Sequence, residues 1–387
     1  MGKPTIRFEG YTDDWEQRKF GEIVEKYEDP VETPTEGYTR LGIRSHAKGT
    51  FHSYVEKGKE LETAKMFRVA ADKFIVNITF GWEHAVAITD ENDAGKLVSH
   101  RFPQYSFNAG MEPKFFRYLI LDENFKHHLE LSSPGGAGRN RVLKLSDMLQ
   151  YKMNFPSEAE QKKIAAYFDD LDHLITLHQR KCEETKKLKK FMLQKMFPKK
   201  GEKVPEIRFG SFTDDWEQRK LDDVVEFLDT MRKPLEGAKR ISGPYPYYGA
   251  SGIVDYVDGY LFDEELILLS EDGANITDRN YPVCFLASGK YWVNNHAHVL
   301  RTKQGNENNF ICNSLERKDY TQYNTGMAMP KLNKETCKKI PILCPGFEEQ
   351  KKIGDYFRSL DNLITLHQHK CEELQNIKKF MLQNMFI

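Results

Sequence analysis

The chain contains two segments that each occur twice in nearly the same form. Residues 160–197 recur at 349–386, with 27 of 38 positions identical. Residues 4–19 recur at 205–220, with 12 of 16 positions identical. The stretches enclosed by these repeats, 20–155 and 221–345, are barely related to each other. A constant frame that carries two different inserts is the arrangement expected of a scaffold that must recognise two different things.

Each long repeat is predicted to form one helix of about ten turns. Apolar residues recur at three- and four-residue spacing in the first copy, and the copy contains no Gly or Pro. These apolar residues are Ile164, Phe168, Leu171, Ile175, Leu188, Met192 and Met196. Pro156 and Pro198 bracket the first copy, and Pro345 precedes the second. At about 1.5 Å per residue the helix is about 57 Å long, and its apolar stripe needs a partner.

Chain connectivity favours an antiparallel pairing of the two helices. Only nine residues, 198–206, join the first helix to the second half. Fully extended, they reach about 30 Å, so the second insert is expected to begin near the far end of the first helix. The second helix then returns along the first. The sequence predicts an α/β (α+β) chain in which an antiparallel coiled coil joins two globular inserts with pseudo-twofold symmetry.

Composition excludes several classes of protein. The 57 basic and 58 acidic residues are balanced, so any polyanion must be bound by local patches. No stretch approaches the roughly 20 apolar residues of a membrane span, and the first residues have no apolar signal core. We therefore expect a cytoplasmic protein without a membrane partner. The six cysteines form no CxxC pair and are expected to be thiols.

Both inserts are expected to mix strands and helices. In the first insert, residues 73–78, 84–89 and 96–102 have the pattern of strands, and residues 111–121 that of a helix. In the second insert, strands are predicted at 265–270, 281–288 and 292–301, between turns rich in Gly and Asn.

Several loops concentrate side chains that can read bases or bind phosphates. Arg or Lys can bind guanine, Asn can pair with adenine, and Gly lets the backbone approach phosphates. The candidates in the first insert are Arg44, Ser45, His46, Lys48, Thr50, His52, Arg139, Asn140 and Arg141. Those in the second are Tyr247, Tyr248, Ser251, Asn275, Asn294, Asn295 and His296. The alternative is that these loops are solvated turns, that the tyrosines edge the core, and that Asn294 and Asn295 satisfy buried backbone groups.

The sequence contains no motif of a self-sufficient enzyme. GxxxxGK(S/T), HExxH, GxSxG and the N-P-P-Y or D-P-P-Y of amino-methyltransferases are all missing from it. His46 with His52, or His296 with His298, would need Cys or carboxylate partners at ligand spacing to hold a metal. We therefore predict no catalytic residue, metal or cofactor on this chain.

The starts of the two long repeats resemble the specificity subunit of type I restriction-modification enzymes. They read P-x-x-x-E-Q-x-K-I-A-x-Y-F-x-x-L-D at 156–172 and P-G-F-E-E-Q-K-K-I-G-x-Y-F-x-x-L-D at 345–361. The segments YPYYGASGIVDYV, LLSEDGANI and WVNNHAHVL are similar to a common kind of target-recognition domain in that family. The resemblance covers nearly the whole chain.

The resemblance implies a division of labour along the chain and among its partners. It implies target-recognition domains at 1–155 and 201–345, and spacer helices at 156–200 and 346–387. Each domain would read one half of a bipartite site in double-stranded DNA. Two methyltransferase subunits would use S-adenosylmethionine to methylate adenine N6. Two restriction subunits, driven by ATP with Mg, would translocate and cut DNA.

Two other functions are open from the residues alone. A stand-alone repressor with a bipartite operator would share the tandem architecture, but it needs a helix-turn-helix or a basic face, and neither is evident. A coiled-coil adaptor that binds only proteins would explain the helices but not the two divergent inserts. Copurification with a methyltransferase separates both alternatives from the specificity subunit.

Overall fold

The computed structural model describes residues 3–61, 65–135, 141–237 and 240–386. The chain divides into two compact units: unit 1 consists of Met1–Leu177 with Cys371–Ile387, and unit 2 of His178–Lys370. Each unit combines one insert with parts of both long helices, so the predicted division into recognition domains and spacer helices remains a prediction. Among the residues that the structure describes, none of the helices has both the length and the apolar character of a membrane span.

The chain alternates short strands and helices up to each long helix. The elements of the first half are β1 (Glu16–Lys19), α1 (Phe20–Ile23), β2 (Val24–Tyr27), β3 (Pro30–Glu32), β4 (Tyr38–Ile43), β5 (Thr50–Val55), β6 (Lys65–Arg68), β7 (Lys73–Val76), β8 (Val86–Ile88), β9 (Leu97–Val98), β10 (Gln104–Phe107), α2 (Pro113–Leu119), α3 (Glu123–Leu131), α4 (Leu145–Met148), β11 (Lys152–Phe155) and α5 (Glu158–Lys195).

The second half follows a similar order. Its elements are β12 (Glu217–Lys220), α6 (Leu221–Val224), β13 (Val225–Phe227), β14 (Ser242–Gly249), β15 (Gly252–Val257), β16 (Phe262–Asp263), β17 (Leu266–Ser270), α7 (Asn275–Asp278), β18 (Cys284–Ala287), β19 (Lys290–Val293), β20 (Ala297–Thr302), α8 (Asn308–Glu316), α9 (Lys334–Lys338), β21 (Pro341–Cys344) and α10 (Phe347–Met385).

The two long helices are confirmed as α5, of 38 residues, and α10, of 39. In unit 1 the predicted stripe residues Ile164, Phe168, Leu171 and Ile175 are buried. They pack with residues of α10 in the same hydrophobic core. Leu188 differs from the prediction because it is exposed to solvent.

The helices run antiparallel in unit 1. Lys378 Nζ lies 2.5 Å from the Asp172 carboxylate. Earlier on α5, the Phe168 ring packs against Phe386, which follows α10, with the ring centres 5.9 Å apart. The step from Phe168 to Asp172 along α5 therefore corresponds to the step from Phe386 back to Lys378, so the two helices run in opposite directions.

Unit 2 repeats this arrangement with the equivalent residues of the repeat. Lys189 Nζ lies 2.6 Å from the Asp361 carboxylate. The ring centres of Phe197 and Phe357 are 6.0 Å apart. The predicted antiparallel coiled coil is thus confirmed by the pairing within each unit.

Two histidines from equivalent positions of the repeat meet in unit 2. His178 Nδ1 and His367 Nδ1 are 3.0 Å apart, so one nitrogen donates a hydrogen bond and the other must be unprotonated. Burial of the His178 ring, followed by the charges of His367, Lys181 and Lys370, lowers the pKa of His178 below its ordinary value of 6.5.

We expect the free energy of unfolding to fall as the pH falls through and below 6.5. The folded chain favours neutral His178, whereas the unfolded chain takes up the proton more readily. The stabilisation is therefore complete above the ordinary pKa and is lost on acidification. Urea unfolding at pH 8, 6 and 5 measures this loss. A variant with both His178→Gln and His367→Gln should show a flatter pH dependence, and an equally steep one would contradict the assignment.

The two inserts share one sheet topology despite their unrelated sequences. Unit 1 has a four-stranded antiparallel sheet in the order β2-β10-β7-β8, and unit 2 has its counterpart in the order β13-β20-β17-β18. A second sheet follows in each unit, in the orders β3-β6-β9-β4-β5 and β15-β14-β19-β16. Each second sheet contains one parallel pair, β4 with β9 and β14 with β19. The predicted mixed fold of the inserts is confirmed.

Most predicted elements of the inserts are present, and two strands were predicted wrongly. The elements β7, β8, α2, β17 and β18 fall where the sequence predicted them. The strand predicted at 96–102 is only Leu97–Val98, because the chain turns with the Phe102 amide donating to the Ser99 carbonyl. The strand predicted at 292–301 is divided into β19 and β20. Its division arises because the Asn294 side chain accepts a hydrogen bond from the His296 amide, 2.8 Å away, and closes a turn.

The repeated frame fastens each insert to its helices through matching contacts. β1 pairs with β11, and β12 pairs with β21. In unit 1 the Arg7 guanidinium donates two hydrogen bonds of 2.7 and 2.8 Å to the Glu160 carboxylate. Arg208 and Glu349 make the same bidentate pair in unit 2, again at 2.7 and 2.8 Å. All six cysteines are free thiols.

Candidate nucleic-acid interface

In unit 1 the turn between β4 and β5 holds four predicted residues. Arg44, His46 and Lys48 are exposed. The His46 amide donates to the Glu83 carbonyl, and Ser45 Oγ donates to the Glu83 carboxylate at 2.6 Å. These bonds hold the turn against residues 81–84. The turn therefore exposes cationic and polar side chains while its backbone is held in place.

Thr50 and His52 lie on β5 and face a buried carboxylate. Thr50 Oγ1 donates to Asp93 Oδ1 at 2.9 Å, and His52 Nε2 lies 2.8 Å from the same oxygen. Because residues i and i+2 of a strand share a face, both side chains can bind one carboxylate. Through this carboxylate, the two side chains stabilise the β4–β5 hairpin. Their predicted contact with DNA remains a prediction.

Arg141 lies next to the same turn. Its guanidinium carbon is 5.5 Å from the centre of the Trp82 ring, and its Nε donates to the Ser133 carbonyl at 3.1 Å. Arg139 and Asn140 lie outside the described residues. The structure thus brings Arg141 and the 44–49 turn together at the 81–84 segment.

In unit 2 the two predicted tyrosines belong to the hydrophobic interior. Tyr247 is 1% exposed, and its hydroxyl accepts a hydrogen bond from the Leu235 amide at 3.0 Å. The Tyr248 ring packs against Phe285 and Tyr291, and burial raises the pKa of its hydroxyl. Both side chains therefore agree with the alternative interpretation, in which the tyrosines edge the core. Ser251, in the turn between β14 and β15, is exposed.

The asparagines divide into structural and exposed residues. Asn275 closes its own loop, because it accepts from the Tyr281 amide at 2.8 Å and donates to the Tyr281 carbonyl at 3.0 Å. Asn294 is buried and shapes the turn that precedes β20. Asn295 and His296 at the tip of that turn are exposed.

Hydrogen bonds of the backbone and of side chains join the loops of unit 2 into one surface. Ser270 Oγ donates to the carbonyl of Ala250 in the hairpin turn, and the Glu271 amide donates to the carbonyl of His296. The Gly273 amide donates to the Pro330 carbonyl in the loop that precedes α9. His296 Nδ1 also lies 2.8 Å from the Asp272 carboxylate. Ser251, Asn295 and His296 therefore share one support.

A buried polar network lies beneath this surface. His298 is 1% exposed, with Nδ1 2.7 Å from the Asp229 carboxylate and Nε2 2.7 Å from the Leu332 carbonyl. Arg232 donates to Glu271 at 2.7 Å. Burial alone would raise the pKa of Asp229, but the hydrogen bond and charge of His298, with Arg232, lower it below its usual value. The network ties the surface loops to the sheet.

Corresponding backbone bonds show which residues of unit 1 match this surface. The Ile78 amide donates to the Arg101 carbonyl, as the Glu271 amide donates to that of His296. The Leu143 amide donates to the Ile78 carbonyl, just as the Leu332 amide donates to the Glu271 carbonyl. Arg101 therefore takes the place of His296. Sequence reasoning missed Arg101 because it assigned residues 96–102 to a strand.

No group of three or more His, Cys, Asp or Glu side chains is placed to hold a metal ion in the part of the chain that the structure describes. His52 and His296 each face a single aspartate, Asp93 and Asp272. The polar groups of both surfaces are thus engaged in hydrogen bonds and ion pairs or open to solvent.

Comparison with protein families identifies this architecture. A family model described as the type I restriction modification DNA specificity domain matches residues 12–187 and again residues 213–376. A Methanocaldococcus jannaschii protein described as the MjaX specificity subunit is 25% identical over 397 residues, 95% of this chain and 91% of that protein. A Haemophilus influenzae protein described as a type I restriction enzyme specificity subunit is 37% identical over 150 residues, 39% of this chain and 38% of that protein.

Solved structures have the same fold at low sequence identity. The crystal structure of the type I restriction-modification S subunit from M. genitalium aligns with a TM-score of 0.67 and 14% identity, over 100% of this chain and 99% of that chain. A chain from a structure of the type I R-M system aligns with a TM-score of 0.50 and 15% identity, over 97% of this chain and 98% of that chain.

The chain belongs to the type I restriction-modification DNA specificity family, as the non-catalytic specificity subunit of such a system. It works with other subunits and with DNA. The matches favour neither the protein-binding adaptor nor the stand-alone repressor.

Proposed function

We propose that unit 1 and unit 2 each read one half of an asymmetric, bipartite site in double-stranded DNA. The observation that carries the proposal is that two surfaces rest on the same framework but present different side chains. Unit 1 presents Arg44, His46 and Lys48, whereas unit 2 presents Ser251, Asn295 and His296. The backbone bonds beneath both surfaces correspond. A shared framework with different tips suits two different half-sites.

The side chains of the two surfaces favour different base edges. Arg and Lys donate to the O6 and N7 acceptors of guanine in the major groove, and Asn pairs with adenine. In unit 1 the Arg44 guanidinium also lies 5.4 Å from the centre of the Phe51 ring, which limits its freedom. Phosphate contacts from the surrounding loops would fix the register of each unit on the duplex.

We infer that two methyltransferase subunits bind this chain, because each unit carries an equivalent set of exposed apolar side chains on its helices. The set in unit 1 is Leu174, Ile377 and Phe380, and the set in unit 2 is Leu363, Leu188 and Phe191. Exposed apolar groups of this kind mark protein contacts when they cluster. Two restriction subunits complete the proposed complex, which would act on DNA in the cytoplasm. S-adenosylmethionine, ATP and Mg would be bound by these partners.

Coexpression with a methyltransferase subunit of a type I system tests the proposal. We expect single-molecule sequencing of the host DNA to find N6-methyladenine in one bipartite motif that disappears without this chain. A triple variant, Arg44→Ala with His46→Ala and Lys48→Ala, should relax the first half-site only. Ser251→Ala with Asn295→Ala and His296→Ala should relax the second only. Stable copurification without any motif would overturn the proposal.

A further inference from the structure

A groove of about 640 Å³ lies in unit 1 beside the β4–β5 hairpin. Arg40 of β4 lines it, together with His100 and Arg101 of the turn that precedes β10. Phe51 and Phe80 supply apolar wall. Ser45 and Glu83 line it as well, so the groove is continuous with the predicted reading surface of this unit.

The basic side chains of the groove are largely without protein partners. Within the described ranges, no hydrogen bond or ion pair involves the guanidinium of Arg40 or the imidazole of His100, and both residues line the groove. Arg101 makes one long contact, 3.4 Å from Nη1 to Thr79 Oγ1. The carboxylate of Glu83 accepts the Ser45 hydroxyl. The lining thus contains two arginines against the single carboxylate of Glu83, which leaves net positive charge that the fold does not use.

The apolar wall is held in a fixed position. A Cβ on Gly42 would clash with the Phe51 ring, so the ring packs directly against the glycine backbone. The Arg44 guanidinium lies 5.4 Å from the same ring. Phe51 and Phe80 are nevertheless partly exposed, at 39% and 37%. The groove is lined by arginines that form no ion pair with a described residue and by partly exposed aromatic rings. Such a groove suits a ligand whose anionic groups alternate with less polar groups.

The backbone of DNA has this chemistry, because charged phosphates alternate with deoxyribose. The place of Arg101 supports DNA as the ligand, since its carbonyl accepts from Ile78 as the carbonyl of His296 accepts from Glu271 on the proposed DNA-facing surface of unit 2. Arginine is also the side chain best suited to form bidentate hydrogen bonds with phosphate oxygens.

We propose that this groove binds the sugar–phosphate backbone of the DNA strand beside the first half-site, with Arg40 and Arg101 on phosphates. The proposal rests on the proposed function and adds a backbone-binding role to residues outside the reading turn. The groove fixes the register of unit 1 on the duplex, and the 44–49 turn reads bases from that position.

The test measures the affinity of the complex of this chain with its methyltransferase for a labelled duplex that carries the mapped motif, over a series of salt concentrations. Arg40→Gln and Arg101→Gln should each weaken binding about tenfold at physiological salt and lower the slope of log K against log salt by about 0.9. The methylated motif should stay unchanged. Arg68→Gln, which removes the same charge from an exposed ion pair with Asp29, should leave the slope unchanged.

The possible outcomes separate the two proposals. Unchanged slopes in both groove variants would overturn the backbone contact. A relaxed base at one position of the motif with an unchanged slope would overturn it too, because the groove would then read a base. If the wild-type complex methylates no motif, the proposed function fails. The slopes on a duplex of arbitrary sequence would still decide whether the groove binds phosphates.

Discussion

Replacing His298 with alanine is expected to disable recognition of the second half-site while the first half-site is still read. The variant removes one partner of the Asp229 carboxylate, which keeps the Val299 amide and Arg232, and it leaves the Leu332 carbonyl without the imidazole donor. Breaking a buried, hydrogen-bonded pair of this kind costs about 3 kcal/mol of the free energy of unfolding. The hydrogen bonds that are lost stabilise the turn at 294–296 and the loop that precedes α9. Urea unfolding measures the cost, and methylation mapping measures the lost half-site.

The matched variant in unit 1 is His84→Ala. His84 is also buried, and its Nε2 lies 2.8 Å from the Ile120 carbonyl. Its own carbonyl accepts the Ala47 amide of the predicted reading turn. We expect this variant to impair the first half-site and to spare the second. If each variant weakened both half-sites equally, the idea that the units read DNA independently would be wrong.

The second large effect concerns the frame. Glu349→Ala should lower the free energy of unfolding by about 3 kcal/mol, because it leaves the Arg208 guanidinium without its carboxylate. The Glu349 side chain is 2% exposed, so water does not replace the lost partner. Glu160→Ala should cost about as much, since its pair with Arg7 has the same geometry.

Glu183→Ala is the control for the frame variants. Glu183 pairs with Lys186 on the exposed surface of α5, where solvent screens the charges. Unfolding in urea should detect no change for this variant. A loss at Glu349 as small as that at Glu183 would show that the buried pair does not hold the insert to its helix.

The long helices could be predicted from the sequence with ends close to the observed Glu158–Lys195 and Phe347–Met385. Their apolar spacing extends over many turns and proline residues limit their ends, so local information is sufficient. The common topology of the inserts could not be predicted, because β2 and β10 pair across a long stretch of chain and the two sequences have diverged. Sheet pairing of this kind depends on contacts that no short segment contains.

The candidate interface was predicted in part for a similar reason. Arg44, His46 and Lys48 could be proposed from the sequence because they are close together in one turn. Arg40 and Arg101 could not, because they meet only when β4 packs beside the turn that precedes β10. For Tyr247 and Asn294, residue type alone could not show that the side chains are engaged in the interior and in a turn.

The matching attachments of the two inserts have a consequence for how genes of this kind can change. Each insert begins after the same short segment and ends at the same helix start, where Arg7 with Glu160 and Arg208 with Glu349 form the same contacts. Recombination between the nearly identical repeats would therefore deliver an insert into a place already shaped for it. A new preference for DNA could arise in one genetic event, without a period in which the chain must regain its stability.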